Sequence, residues 1–314
     1  VNERILISCV QLQRSLAEHR DRLDARHAEL IVPPVQQQLS EAELLALIPD
    51  VDGMIAGDDQ VTRAVLERAG RLRIVSKWGV GTDAIDLGAA AELGIRVTNT
   101  PGMFGDEVAD VVIGYLVLLA RHLHRIDTAV RAGEWAKPTG VSLAGRTMGV
   151  VGLGHIGRAV ARRSLAMNMR VLGFEIDPAN SASAAQLGVE VVSLASLLAE
   201  SDVVSLNAPL TPETRHLLDA ANLGRLRRGA WIINTARGGL VDEAALAAVL
   251  GTGQVGAAAL DVFEVEPLPM ESPLRRFPQV ILGSHNASNS IDAGHRTSEA
   301  AIDNLIRGLD EVRR

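Results

Sequence analysis

The chain has 314 residues, enough for about two domains, and its 47% apolar content supplies cores that a 3% aromatic share makes mostly Ala, Val and Leu. A net charge of −7 with no Lys/Arg stripe excludes a nucleic-acid surface built on basic charge, and the longest strongly apolar run, Val111–Ala120, is too short to span a bilayer. The single Cys9 excludes an internal disulfide; with no leader visible around Ile5-Leu6-Ile7, a reducing, cytoplasmic setting is expected.

Short Val/Ile-rich runs alternate with Ala/Leu-rich stretches, which predicts an α/β architecture with parallel sheets. In a first repeat, strands are expected at Ile5–Ser8, Leu30–Val32, Gly53–Ile55, Ile74–Ser76 and Arg96–Thr98. Helical stretches fall between them, for example Glu41–Leu47 and Val61–Ala69. A long helix, roughly Asp106 to Arg131, follows; its apolar centre predicts burial on several sides, at a domain junction or a subunit interface. In a second repeat, strands are expected at Met148–Val151, Arg170–Phe174, Val203–Leu206, Ala230–Asn234, Ala257–Leu260 and Val280–Leu282. Helices are expected at Ile156–Ala166, Leu197–Ala199 and Glu243–Leu250. A final helix, about Ala293–Glu311, is expected to return to the first domain. The expected division is 1–98, 99–285 and 286–314, with the last segment completing the first domain.

The run Gly152-Leu153-Gly154-His155-Ile156-Gly157 joins a strand to a helix, the context that a dinucleotide turn requires. Gly152 permits the tight turn, Gly154 lets backbone approach a pyrophosphate, and Gly157 lets helix pack on strand. The helix N-terminus offers free N–H groups, including those of His155 and Ile156, to the phosphates. Glu175 lies 23 residues after Gly152, placed to accept from ribose hydroxyls. No Lys or Arg occurs between Val171 and Thr214, so a 2′-phosphate would find no local cation and NAD is expected rather than NADP. No Cys/His pair and no H-E-x-x-H spacing suggests a metal, and the histidines other than His285 read as surface or loop residues.

The ordered blocks Gly79-Val80-Gly81-Thr82-Asp83, Asn99-Thr100-Pro101-Gly102, the glycine turn, Asn234 to Gly239, Ala259 to Pro267 and a late His285 resemble the D-isomer-specific 2-hydroxyacid dehydrogenases, within them the phosphoglycerate dehydrogenase-like group. The resemblance implies two Rossmann-like or flavodoxin-like domains with the active site in the cleft between them, and a short form without a regulatory domain. It further implies NAD as cofactor, a small anionic 2-hydroxy or 2-oxo acid as substrate, and a homodimer formed through the helix after Asp106. By the same resemblance Arg237 binds the substrate carboxylate, His285 is the general acid/base and Glu266 pairs with it. Such a trio suits the chemistry: the oxygen at the reacting carbon must gain or lose a proton, which imidazole does near neutral pH. Arginine's planar fork suits a carboxylate. Gly238-Gly239 suggest backbone crowding at a ligand. Asp261, Thr235 and Ala236 are implied at the nicotinamide end, Pro209 beside the adenosine, and Gly79, Val80 and Gly81 at substrate oxygens.

Several positions depart from the phosphoglycerate dehydrogenase pattern. Met54-Ile55-Ala56-Gly57-Asp58-Asp59 lacks the usual arginine, a second arginine position is Lys77, and the usual Pro before the catalytic His is Ser284. These departures weigh against 3-phosphoglycerate. Lys77 either meets a substrate phosphate or phosphonate, a hydroxy-phosphonate being the alternative substrate, or lies in solvent, and Trp78 and Phe104 either narrow the pocket or pack a domain junction. Two rivals share the fold. A formate dehydrogenase pairs its His with Gln, against Glu266 here, and an NADH-sensing corepressor would need no complete trio.

Overall fold

The computed structural model describes residues 3–311, which divide into two compact units, 3–103 with 289–311, and 104–288. The breaks lie a few residues beyond the expected 98/99 and 285/286. Asn99 to Met103 stay with the first unit: Thr100 N donates to Gly79 O, and Arg296 donates to Met103 O.

The first unit runs β1 (Arg4–Ile7), α1 (Val10–Asp24), β2 (Glu29–Ile31), α2 (Glu41–Leu47), β3 (Gly53–Ala56), α3 (Arg63–Arg68), β4 (Ile74–Lys77), α4 (Leu87–Glu92) and β5 (Arg96–Thr98). The strands form one parallel sheet in the order β2-β1-β3-β4-β5, the flavodoxin-like arrangement. Central strands β1, β3 and β4 are buried on both faces, which is why they read as near-continuous apolar runs. Local chemistry sets the helix starts. Ser40 and Glu43 form a capping box on α2, and the Asp86 carboxylate accepts from Ala89 N at 2.8 Å at the start of α4. The last helix described, α12 (Ile291–Glu311), packs on β3, β4 and α1, so this unit is discontinuous in sequence.

The second unit opens with α5 (Gly105–Arg121) and α6 (Leu123–Arg131). The single long helix expected over 106–131 is corrected to two: His122 adopts a left-handed φ of 57° and ends the first. There follow β6 (Thr147–Val151), α7 (His155–Ala166), β7 (Arg170–Phe174), α8 (Pro178–Ala185), β8 (Glu190–Val191), α9 (Leu194–Glu200), β9 (Val203–Leu206), α10 (Ala220–Arg225), β10 (Ala230–Asn234), α11 (Glu243–Thr252), β11 (Val255–Leu260) and β12 (Val280–Leu282). Their parallel sheet has the order β12-β11-β10-β9-β6-β7-β8. Strand order reverses between β6 and β9, and ligands of such sheets bind at the carboxyl ends of strands beside that point. Two further readings change. Val61 forms a bridge to Ile85 rather than opening a helix, and His19 is buried on α1 rather than superficial. Among the described residues no helix is long and apolar enough to cross a membrane.

Candidate functional site

The glycine turn occupies the carboxyl end of β6, at the point where strand order reverses. Each glycine has a different physical reason to be there. Gly152 has φ +87°, and a Cβ on it would lie 2.8 Å from the Asn207–Ala208 backbone. A Cβ on Gly157 would lie 1.9 Å from Gly152 O, so α7 approaches the turn more closely than any side chain allows. A Cβ on Gly154 meets nothing within 4 Å. The turn is therefore packed on its protein side and open where Gly154 caps α7, whose first residues are His155 and Ile156.

Around this turn two buried polar atoms have no protein partner, Asn207 Oδ1 after β9 and Thr235 Oγ1 after β10. Orphaned polar atoms at the ends of neighbouring strands, beside an open helix N-terminus, fit a bound dinucleotide. Pro209 is exposed two residues beyond Asn207, and its carbonyl accepts from Thr214 Oγ1 at 2.7 Å.

Glu175 follows β7, with its carboxylate turned back on the backbone. Oε2 accepts from Leu153 N at 2.7 Å, inside the glycine turn, while Oε1 accepts from Ile176 N and Asp177 N at 2.8 and 3.0 Å. The acid thus holds the turn to the end of β7. Beside it Ile176 is 85% exposed, a large apolar side chain that no sequence pattern singles out. The expectation of no local cation is corrected. Arg158, from α7, donates to Leu153 O at 2.6 Å and to Asn180 Oδ1 at 2.7 Å. A window along the chain cannot see a cation that a neighbouring helix carries in, and this one is already held by two acceptors.

The catalytic candidates lie on loops after β10, β11 and β12. Glu266 Oε2 lies 2.7 Å from His285 Nδ1, and its Oε1 accepts from Phe263 N at 2.9 Å. The carboxylate is therefore fixed at both oxygens, and it fixes the ring in turn. Arg237 follows the turn that Asn234 ties together: Asn234 Nδ2 donates to Arg237 O at 2.9 Å and Oδ1 accepts from Ala236 N at 3.1 Å. The guanidinium donates to Ala236 O through Nη1 at 2.9 Å. Gly238 is crowded by protein backbone. A Cβ there would lie 1.8 Å from the backbone carbon of Phe263, so this glycine lets the Arg237 loop press against the loop that carries Glu266.

The largest feature that sequence reasoning missed is the support beneath His285, built by Tyr115 and by Asp261, a residue that the resemblance implied at the nicotinamide end. Asp261 is 2% exposed; its Oδ2 accepts from Ala287 N at 2.7 Å and its Oδ1 from the Tyr115 hydroxyl at 3.1 Å. His285 N also donates to Asp261 O at 2.6 Å. One carboxylate thus anchors the loop of the histidine from below. Burial, and then the charge of Asp261, push the Tyr115 phenol up, which keeps it a donor. Tyr115 is the chain's only tyrosine, which was the one available signal. Gly283 makes room for the pair, since a Cβ there would lie 2.2 Å from Asp261 Oδ1.

The candidates of the first unit look different. Lys77 is 4% exposed, and its Nζ donates to Trp78 O at 2.8 Å and to Asp58 Oδ1 at 3.1 Å. Trp78 is equally buried, and its Nε1 donates to Ser298 Oγ on α12 at 3.0 Å. After Trp78 the chain turns outward. Gly79 has φ +127° and donates through N to Thr100 Oγ1, Val80 is exposed and Gly81 is partly so. Phe104 in the second unit is buried at the start of α5.

Residues 113–287 match the family model described as D-isomer specific 2-hydroxyacid dehydrogenase, NAD binding domain. A glyoxylate reductase from Thermofilum pendens is 40% identical over 86% of this chain and 82% of its own length. A hydroxypyruvate reductase from Thermotoga maritima is 35% identical over 92% of this chain and 96% of its own. Among solved structures, a D-lactate dehydrogenase from Aquifex aeolicus, complexed with NAD and lactic acid, superposes with a TM-score of 0.88 at 25% identity, over 98% of this chain and 97% of that one.

Proposed function

The chain belongs to the D-isomer specific 2-hydroxyacid dehydrogenases, NAD-dependent oxidoreductases, and we propose that it interconverts a short, unphosphorylated 2-oxo acid of the glyoxylate or hydroxypyruvate kind with its 2-hydroxy acid. The observation that carries the reading is the His285–Glu266 pair at 2.7 Å, with Glu266 itself held by Phe263 N. NAD, when bound, supplies or accepts the hydride at the carbon that bears the reacting oxygen. His285 holds the proton for that oxygen. With Nδ1 turned to Glu266, the transfer falls to Nε2, and the carboxylate stabilises the imidazolium and the ring orientation. Arg237 receives the substrate carboxylate in its planar fork. Gly154 and the first amides of α7, His155, Ile156 and Gly157, receive the pyrophosphate. Glu175 receives a ribose hydroxyl, Ile176 covers the adenine, and Pro209, Thr235, Ala236 and Asp261 border the rest of the cofactor. The exposed Val80–Gly81 backbone offers its amides to substrate oxygens.

The absence of a phosphate from the proposed substrate rests on Lys77. Its ammonium is buried and held by Asp58 and a carbonyl, so a substrate phosphate would first have to displace an acid. A homodimer belongs to the same reading. Helix α6 has no buried residue, and Leu123, Val130 and the nearby Trp135 expose apolar side chains, with Trp135 79% exposed. Sedimentation at micromolar concentration should give a dimer, and Trp135→Glu should give a monomer.

The substrate proposal is tested by NADH oxidation with glyoxylate, hydroxypyruvate, pyruvate, phosphohydroxypyruvate and short acyl-phosphonates. The expected order puts the two short unphosphorylated acids first. Preference for a phosphorylated or phosphonate substrate would overturn the proposal.

A further inference from the structure

Away from the residues of the proposed reaction, α1 and α12 bring together three side chains with the chemistry of metal ligands. Glu18 and His19 are adjacent on α1, and His295 lies on the first turns of α12. One ligand atom from each lies within 4.8 Å of the other two. His295 Nε2 is 3.0 Å from Glu18 Oε2, and the His19 and His295 rings meet edge to face with centroids 5.9 Å apart.

An exposed Glu–His pair alone would be an ordinary surface contact. The distinguishing group is His19, which is 4% exposed and whose Nε2 is buried without a hydrogen-bond partner. A buried imidazole nitrogen with no acceptor or donor is a rare arrangement that asks for an explanation. A bound cation supplies one, because neutral imidazole offers its lone pair to a metal without needing a second protein partner. We propose that Glu18, His19 and His295 form a binding site for a divalent transition ion of the zinc, cobalt or nickel class.

The donor set selects this class. Two imidazole nitrogens and one carboxylate oxygen suit borderline ions, whereas calcium and magnesium prefer all-oxygen shells. Zinc bonds of about 2.0–2.1 Å in tetrahedral geometry put ligand atoms about 3.3 Å apart. The Glu18–His295 edge already has that scale at 3.0 Å, and the remaining edges need to shorten by no more than about 1.5 Å. Glu18 and His295 are half exposed, so an ion enters from solvent and keeps water in its fourth position. The ion would link residues 18 and 295, at opposite ends of the sequence, and so fasten α12 to α1 within the first unit. Arg22 of α1 with Asp303, and Arg26 just beyond the end of α1 with Asp310, already tie this segment to α12 by charge. The site needs no hand in the hydride chemistry.

The test uses the full chain without a histidine tag, stripped with chelator and dialysed. Cobalt(II) is titrated in and followed by its visible absorption, and zinc is then added as competitor. One cobalt per chain is expected, displaced by zinc. Saturating zinc is expected to raise the midpoint of thermal unfolding by about 5 °C. His19→Gln and His295→Gln should each weaken binding at least about tenfold. His295 is half exposed, so its variant keeps the test decisive if His19→Gln fails to fold. No saturable uptake, or uptake unchanged in the variants that fold, would overturn the proposal.

Discussion

The two units treat their polar residues in opposite ways. In the second, bonds between side chain and backbone fix the candidates: Phe263 N holds Glu266, the Asn234 side chain holds the Arg237 loop, the Asp261 carboxylate holds the His285 loop, and three amides hold Glu175. In the first, the polar residues near β4 are held by one another in the interior, as Lys77 is by Asp58. Asp59 is likewise satisfied inside, its carboxylate accepting from Ser8 Oγ and from the Leu39 and Gly57 amides. The difference separates two tasks. A group that must meet a ligand is fixed from behind through one atom and presented through another. A group that secures a fold has its polar atoms satisfied inside. Substitutions in the second unit should therefore remove turnover, and those in the first should remove stability.

The largest effect belongs to the acid/base pair. His285→Ala should lower kcat by roughly 10²–10⁴, and Glu266→Gln by a smaller factor within that range, with NADH affinity and thermal stability nearly unchanged. Stopped-flow NADH oxidation and fluorescence titration separate the two quantities. Full turnover in either variant would remove the proposed roles.

The glycine turn offers a sharper contrast inside one loop. Gly157→Ala forces a methyl against Gly152 O and should destabilise the second unit by about 1–3 kcal/mol or more. Gly154→Ala adds a methyl in open space at an ordinary φ of −62°, so stability should change by no more than about 0.5 kcal/mol. Its NADH affinity should nevertheless fall about tenfold, equivalent to about 1.4 kcal/mol. Chemical denaturation and NADH titration of both variants test the contrast, which fails if Gly154→Ala binds as the parent does.

Lys77→Met tests whether that lysine serves the fold or the substrate. Removing the ammonium takes a buried ion-pair partner from the partly exposed Asp58 and a donor from Trp78 O, so a loss of about 1–3 kcal/mol in stability is expected, with KM for a 2-oxo acid changed less than about threefold. A large rise in KM at unchanged stability would return Lys77 to the substrate.

Much of this was legible in the chain because parallel strands and dinucleotide turns have strict local requirements. The bounds of α2, β5, β7, β9, β10 and β12 agree with the periodicity to the residue, since each is a compact run closed by polar or turn residues. The break at His122 was illegible because a left-handed histidine leaves no sign in an apolar helical pattern. Helix α1 was obscured by its polarity: it buries only Leu12, His19 and Leu23 and is rich in Gln and Arg. The supports of the site were hidden for a different reason. Tyr115 and Asp261 are 146 positions apart, as Arg158 and Asn180 are 22, and no spacing rule links a residue to a partner on another element. Gly238 was visible as crowded, but what crowds it is the Phe263 backbone, which only the fold brings there.

The smallest effect concerns Asp59, and its sign follows from burial. Asp59 has no exposed surface and accepts from Ser8 Oγ at 2.5 Å, Leu39 N at 2.7 Å and Gly57 N at 2.8 Å. Burial nevertheless outweighs these bonds and holds its carboxyl above the usual aspartate value. A group raised in the folded state binds its proton more tightly there than in the unfolded chain. Its contribution to stability is therefore complete below the unfolded value of 3.8 and is lost as pH rises through the higher folded value. The parent should thus carry a negative term in the slope of stability against pH just above 3.8, and Asp59→Asn should lack it. Asn has a single acceptor oxygen for three donors, so the variant should also be less stable throughout, by about 1–3 kcal/mol. Urea denaturation of both proteins from pH 4 to 8 separates slope from offset. Parallel curves would mean that the three donors, and not burial, dominate at this carboxylate.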